Sequence, residues 1–162
     1  MNDAAERAFL RHVLATLAYR CAKAVRGAPE GFAEFRASPT TRTPAQILAH
    51  IGDLLDWVLW LARERSVYVE STPLAWESEV ARFHRSCAAL DDYLAGEAPL
   101  VTHWTKLFQG GLADALTHTG QIAMLRRIHG TPMKGESYAR ADIVAGRVGP
   151  EQTPPEPKNE FD

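Results

Sequence analysis

Asp114, His118 and Gln121 stand at steps of four and three residues in the stretch GGLADALTHTGQIAMLRRIHG, residues 110–130. On a helix these steps bring the three side chains within about 60° of one another, so a carboxylate, an imidazole and an amide share one face. The same sector holds Leu107, Leu125 and Ile128, which predicts that the row points inward. An ionised carboxylate buried there alone would cost several kcal/mol, so a partner is required. A second imidazole is available, because His50 shares its face with Ile47, Leu54, Trp57 and Leu61 and is likewise directed toward the core. Two histidines and a carboxylate are the ligand set of open divalent-metal sites, in which three protein donors leave positions for water or substrate. Spacing alone also fits a buried polar network, with Asp114 orienting His118 and Gln121 satisfying the remainder.

The elements that must position these groups read as helices. Residues 3–26 place Phe9, Leu10, Val13, Leu14, Leu17, Cys21 and Ala24 on one stripe, and Gly27 with Pro29 ends the run. A second helix opens at Thr43 as N-cap, with Pro44 at the first helical position and Gln46 completing a capping box, and runs to about Glu64. After a β-prone connection, SVYVESTP, a third run carries Trp76, Val80, Phe83, Cys87, Leu90 and Leu94 and stops at Gly96 and Pro99. A fourth begins between Thr102 and Phe108 and ends at Gly130, with Pro132 behind it. Gly110 and Gly111 either precede this helix or lie within it where a neighbouring backbone comes close, and Gly120 suggests room beside the row.

No segment alternates as a half-buried strand would, so the expected fold class is all-α: a four-helix bundle followed by an irregular C-terminal tail. Residues 1–150 form one domain including a segment that wraps the bundle, and 151–162 (EQTPPEPKNEFD) read as a disordered tail. With 18 basic and 20 acidic residues, a net charge of −2 gives no field for condensing on phosphates, which argues against nucleic acid as a partner. Charges interrupt the N-terminal helix from its first turn and no run reaches ~18 apolar residues, so neither a signal peptide nor a membrane span is expected and the chain reads as cytoplasmic. Cys21 and Cys87 sit in apolar stripes, as buried free thiols rather than nucleophiles or a disulfide.

A histidine early in the second helix, in TPAQILAHIGDLLDW, followed by the D-xxx-H-x-G-Q pattern of DALTHTGQ, resembles the DinB-like (YfiT-like) family of metal-dependent enzymes. The resemblance spans roughly residues 3–130, and GESYARADIVAGRVGPEQ is similar to the end of some members. It implies up-down-down-up connectivity, a homodimer, and a divalent ion held by His50, Asp114 and His118. Many members carry a histidine where this chain has Asp114, which leaves zinc, nickel, manganese and iron as candidate ions. The implied activity is metal-dependent hydrolysis or transfer involving a small-molecule substrate such as a low-molecular-weight thiol. A helical dimer that binds metal without catalysis is the competing class.

Around this ligand set, Gln121 is expected either to orient an imidazole or to bond between helices, and Trp57 and Leu54 to wall a pocket. Asp53 falls to a solvated face and His12 to the surface. His84 and His129 are unsuited as ligands, and His103, ahead of the fourth helix, is a remote candidate for a fourth donor. Tyr138, Arg140 and Arg147 in the tail could fold over the mouth of the site and meet an anion.

Overall fold

A computed structural model describes residues 3–64 and 67–162. The protein is all-α apart from one two-stranded ribbon, with α1 at Asp3–Val25, α2 at Pro44–Arg63 and α3 at Trp76–Ala95. The fourth rod is composite: α4 (Trp104–Leu107), a π-helical segment (Phe108–Leu112) and α5 (Ala113–Ile128) follow without a break. Each long helix puts an apolar stripe into one core, where Leu14, Leu17 and Cys21 of α1 are fully buried with Leu48, Ile51 and Leu55 of α2, Phe83, Cys87 and Leu90 of α3, and Leu107, Leu112, Ala115 and Ile122 of the composite rod. Helix α2 packs on α3 and α5, and so does α1.

The helix ends follow the sequence signals closely. Thr43 accepts from the Gln46 backbone at 3.2 Å while the Gln46 side chain accepts from the Thr43 N–H at 2.9 Å, closing the capping box ahead of Pro44. At the far end of α5 the Thr131 N–H reaches Arg126 O at 2.9 Å and the Gly130 N–H reaches Arg127 O at 3.1 Å. That pair of bonds is a Schellman closure, and it requires Gly130 at φ 86. Buried arginines finish two other helices: Arg126 donates to the carbonyls of Ala24, Arg26 and Gly27 at the end of α1, and Arg7 to those of Tyr93, Gly96 and Ala98 at the end of α3. Helix α2 is long and apolar enough to cross a membrane by length and composition, yet 61% of its 18-residue window is buried inside the protein.

Several expectations are corrected. Phe9, assigned to the buried stripe of α1, is 46% exposed and meets Trp104 and Phe108 edge-on at the surface. The β-prone connection forms no strand over 67–73, in keeping with the all-α expectation, and its first residue, Ser66, lies outside the described residues. Residues 157–161, expected to be disordered, are structured. Glu160–Phe161 pairs antiparallel with Gly135–Glu136, after a 3-10 turn at Pro157–Asn159. Burial explains this ordering. The Glu136 carboxylate is enclosed and accepts from Tyr19 Oη at 2.7 Å and Lys23 Nζ at 2.7 Å, and Lys23 also holds Glu160 at 3.0 Å. The tail is thus fastened to α1 by charge-assisted bonds that composition does not reveal. Cys21 and Cys87 are buried free thiols, and burial pushes the Cys21 thiol up to about 12.

Candidate metal centre

The π-helical segment determines where the polar row points. Its backbone closes with Ala113 N–H to Phe108 O, a five-residue step that inserts one extra residue into the turn. One inserted residue rotates everything downstream by about 100° relative to a regular helix. Leu107 therefore lines up with Ala115, Thr119, Ile122 and Arg126, all buried, rather than with Asp114. The row Asp114–His118–Gln121 lies beside this buried stripe, not on it. Asp114 is 44% exposed at its side chain, Gln121 is exposed and Ile128 is 54% exposed, so the inward placement read from spacing is corrected.

Turning away from the core brings the row to α2. The donor atoms of His50, Asp114 and His118 lie within 4.8 Å of one another, a group that could hold a metal ion. His50 Nε2 stands 3.7 Å from Asp114 Oδ2 and His118 Nε2 stands 3.4 Å from Asp114 Oδ1. Those separations exceed a hydrogen bond. They are near the roughly 3.3 Å that separates two donors each about 2 Å from a tetrahedral ion. The imidazoles cross edge to face with centroids 4.7 Å apart.

The nitrogens facing away from the cluster are both engaged. His118 Nδ1 meets Gln121 Oε1 at 2.8 Å. An amide oxygen can only accept, so Nδ1 is the donor and Nε2 is the nitrogen directed at Asp114. His50 Nδ1 meets the Tyr68 hydroxyl at 2.7 Å, which leaves Nε2 of that ring for the cluster too. Burial, the neighbouring His118 and Arg42 lower the pKa of His50, against the opposing pull of Asp114, and so favour the neutral, donating ring.

Tyr68 was not anticipated as a partner, and its position traces back to Asp53. The Asp53 side chain, expected to be solvated, is 2% exposed. It accepts from the Ser71 backbone at 3.0 Å and hydroxyl at 2.7 Å, and from Arg82 at 2.5 Å. Arg82 also bonds Asp56 at 3.0 Å and the Ser71 hydroxyl at 2.7 Å. This buried ion network pins the irregular segment after α2 against the helix and so carries Tyr68 onto His50. Two aspartates on α2 and an arginine on α3 were the available signal, but only the fold shows that they meet.

Helix α2 comes close enough to assemble the site because Gly111 has no side chain. A Cβ there would lie 2.1 Å from Val58 Cγ2 and 3.1 Å from the Leu54 carbonyl oxygen. Gly111 therefore belongs inside the fourth rod at a close helix approach, and the alternative of a helix starting after it is excluded. Trp57 packs beside Gly110 and edge-on to Tyr68, at 6.1 Å between centroids. Leu54 is buried in the core. The open groove adjoining His118 has other walls: Ile47, Leu125 and Ile128, with Arg42, Gln121 and Met124, around a volume of about 480 Å³.

The remaining candidates lie elsewhere. His103 caps α4 and bonds Thr105, His84 is buried with Nδ1 on Val148 O at 3.0 Å, and His129 packs on Phe32 and Phe35. His12 is exposed. Tyr138 meets Tyr19 edge to face with Arg20 4.4 Å from its ring centroid, Arg147 pairs with Asp142 at 3.0 Å, and Arg140 is exposed. None of these three has a contact with His50, Asp114 or His118 among the described residues. The chain matches no protein-family model, no curated protein and no solved structure.

Proposed function

We propose that this protein is a divalent-metal-dependent enzyme of the DinB-like type, with the ion carried by His50 Nε2, a carboxylate oxygen of Asp114 and His118 Nε2. One observation carries the reading: three donors from two helices converge at metal-ligand separations while both outer imidazole nitrogens are held by neutral oxygen groups. A bound divalent ion would supply Lewis acidity and bring the pKa of a coordinated water or thiol toward neutrality. The chain's own residues do the positioning. Gln121 and Tyr68 fix the rings, Asp114 contributes the negative charge, and His118, which lines the groove, puts the cluster within reach of a small molecule held there. Hydrolysis and thiol-dependent transfer are both within this chemistry. Connectivity of the up-down-down-up kind and a homodimer belong to the same proposal.

The test is metal analysis after purification without chelator, followed by zinc, nickel and manganese titrations of wild type and His118→Ala. One ion per chain is expected for the wild type. His118→Ala should lose it while keeping a helical circular-dichroism spectrum. Full metal content in the variant, or none in the wild type, would sink the assignment.

A further inference from the structure

Arg42 lies at the junction of two concavities. It lines the groove beside His118, and also a smaller recess of about 140 Å³ that it shares with His50, Asp53, Glu70 and Ser71. Its side chain is exposed and has no hydrogen bond or ion pair among the described residues, whereas Arg11, Arg82 and Arg126 are committed to carboxylates or helix-end carbonyls. The backbone that presents it is fixed on both sides. Thr41 is tied to Ser38 by its N–H at 3.2 Å and its hydroxyl at 2.9 Å, and Thr43 is locked in the capping box of α2. A guanidinium held by such a frame loses less freedom on binding than one on a mobile loop.

The rest of the groove is apolar. Ile47 and Leu125 form its floor, and Met124 and Ile128, both more than half exposed, form its rim. A volume of about 480 Å³ lies within the range of small-molecule sites. A divalent ion would outweigh the charge of Asp114 and Arg42 adds a second cation beside it, with Glu70 as the opposing charge in the recess and Asp53 already paired with Arg82.

We infer that the site takes an amphipathic small-molecule carboxylate, whose acid group pairs with Arg42 while its apolar body lies along Ile47, Leu125 and Ile128. The inference rests on the proposed metal reading for where the reacting group sits. Recognition itself depends on Arg42 and the groove. A guanidinium offers two parallel N–H donors to a carboxylate, which a neutral amide cannot match.

The experiment compares octanoate, butyrate and octanamide by isothermal titration against wild type, Arg42→Gln and Arg42→Lys, with the zinc content and circular dichroism of each protein measured beforehand. In the wild type octanoate should bind about tenfold tighter than octanamide, for its charge, and up to about 200-fold tighter than butyrate, which has four fewer methylenes to bury. Arg42→Gln should weaken octanoate about tenfold, leave octanamide unchanged and keep the wild-type zinc content, and Arg42→Lys should recover part of the loss. Equal binding of acid and amide, an octanoate affinity indifferent to Arg42→Gln, or no binding of either would overturn the inference. A wild type that takes up no zinc would instead defeat the metal reading, and the same acid-against-amide comparison on that protein would still decide for or against Arg42.

Discussion

Substituting Gly111 by alanine tests the helix approach on which the candidate centre depends. The added methyl would meet Val58 Cγ2 at 2.1 Å and the Leu54 carbonyl oxygen at 3.1 Å. Neither neighbour gives way easily, because Val58 is 1% exposed and a valine on a helix has one strongly preferred rotamer, while the Leu54 oxygen moves only if α2 moves. Overpacking of this kind costs about 3 kcal/mol at the upper end of its usual range. Alanine's better helix propensity offsets up to about 1 kcal/mol of that, so the net loss is about 2 kcal/mol. For a chain of 162 residues this is a fall in Tm of roughly 4–8 °C. Gly120→Ala is the control, since nothing lies within 4 Å of a Cβ at that position, and it should gain up to about 1 kcal/mol. Urea melts followed by circular dichroism read both variants. A Gly111→Ala protein as stable as wild type, or two variants shifting in the same direction, would refute the close approach. Zinc titration adds a second readout, because His50 on α2 and Asp114 on α5 must separate if the helices do.

The oxygen partners of the two rings should matter to metal affinity without being ligands. Tyr68→Phe and Gln121→Leu each remove one partner of an outer imidazole nitrogen, and each should weaken zinc about 10- to 100-fold with the helical content unchanged. An affinity equal to wild type in both variants would show that the rings are not oriented through Nδ1. Stability should also depend on pH through the imidazoles. Burial lowers the pKa of His50 and of His84 below the ordinary value, so between those folded values and about 6.5 the unfolded chain binds more protons and stability rises with pH. Chelator-treated protein should accordingly show its full urea midpoint above pH 7 and a falling midpoint as the pH drops through 6.5 toward 5. His84→Gln should flatten part of that slope, and a midpoint constant from pH 7.5 to 5.5 would contradict it.

The start of α2 and the end of α5 were legible because each carries its own local chemistry. Thr43, Pro44 and Gln46 satisfy the first N–H groups of α2, and Gly130 supplies the left-handed turn after α5. The core stripe of α3 was equally plain, with Phe83, Cys87, Leu90 and Leu94 all buried. Long-range polar contacts were not. Glu136 reads as one acid in an irregular tail, yet its burial against Tyr19 and Lys23 orders residues far from it in sequence. Asp53 reads as a solvated residue, yet Arg82 from α3 and Ser71 from the connection enclose it. In both cases the deciding partner lies on another element, where periodicity carries no information.

The candidate centre was legible as a set of residues but not as a place, and the π-helical segment is the reason. A count from Leu107 through Asp114 along one regular helix sets both on the same face. The inserted residue at Phe108–Leu112 breaks that count, so the leucine stays in the core and the carboxylate turns out of it. The correction makes chemical sense of Asp114. On the buried stripe its charge would need complete compensation inside the protein; where it stands it faces His50 and His118 and remains open to solvent. The glycines that make the segment look a poor helix have a related origin: Gly111 allows α2 to approach, Gly110 lies against Trp57, and the wider turn delivers the D-xxx-H-x-G-Q row to the histidine on the neighbouring helix. A regular α-helical turn here would send Asp114 and His118 about 100° further toward the core, and His50 would lose the two donors it now meets.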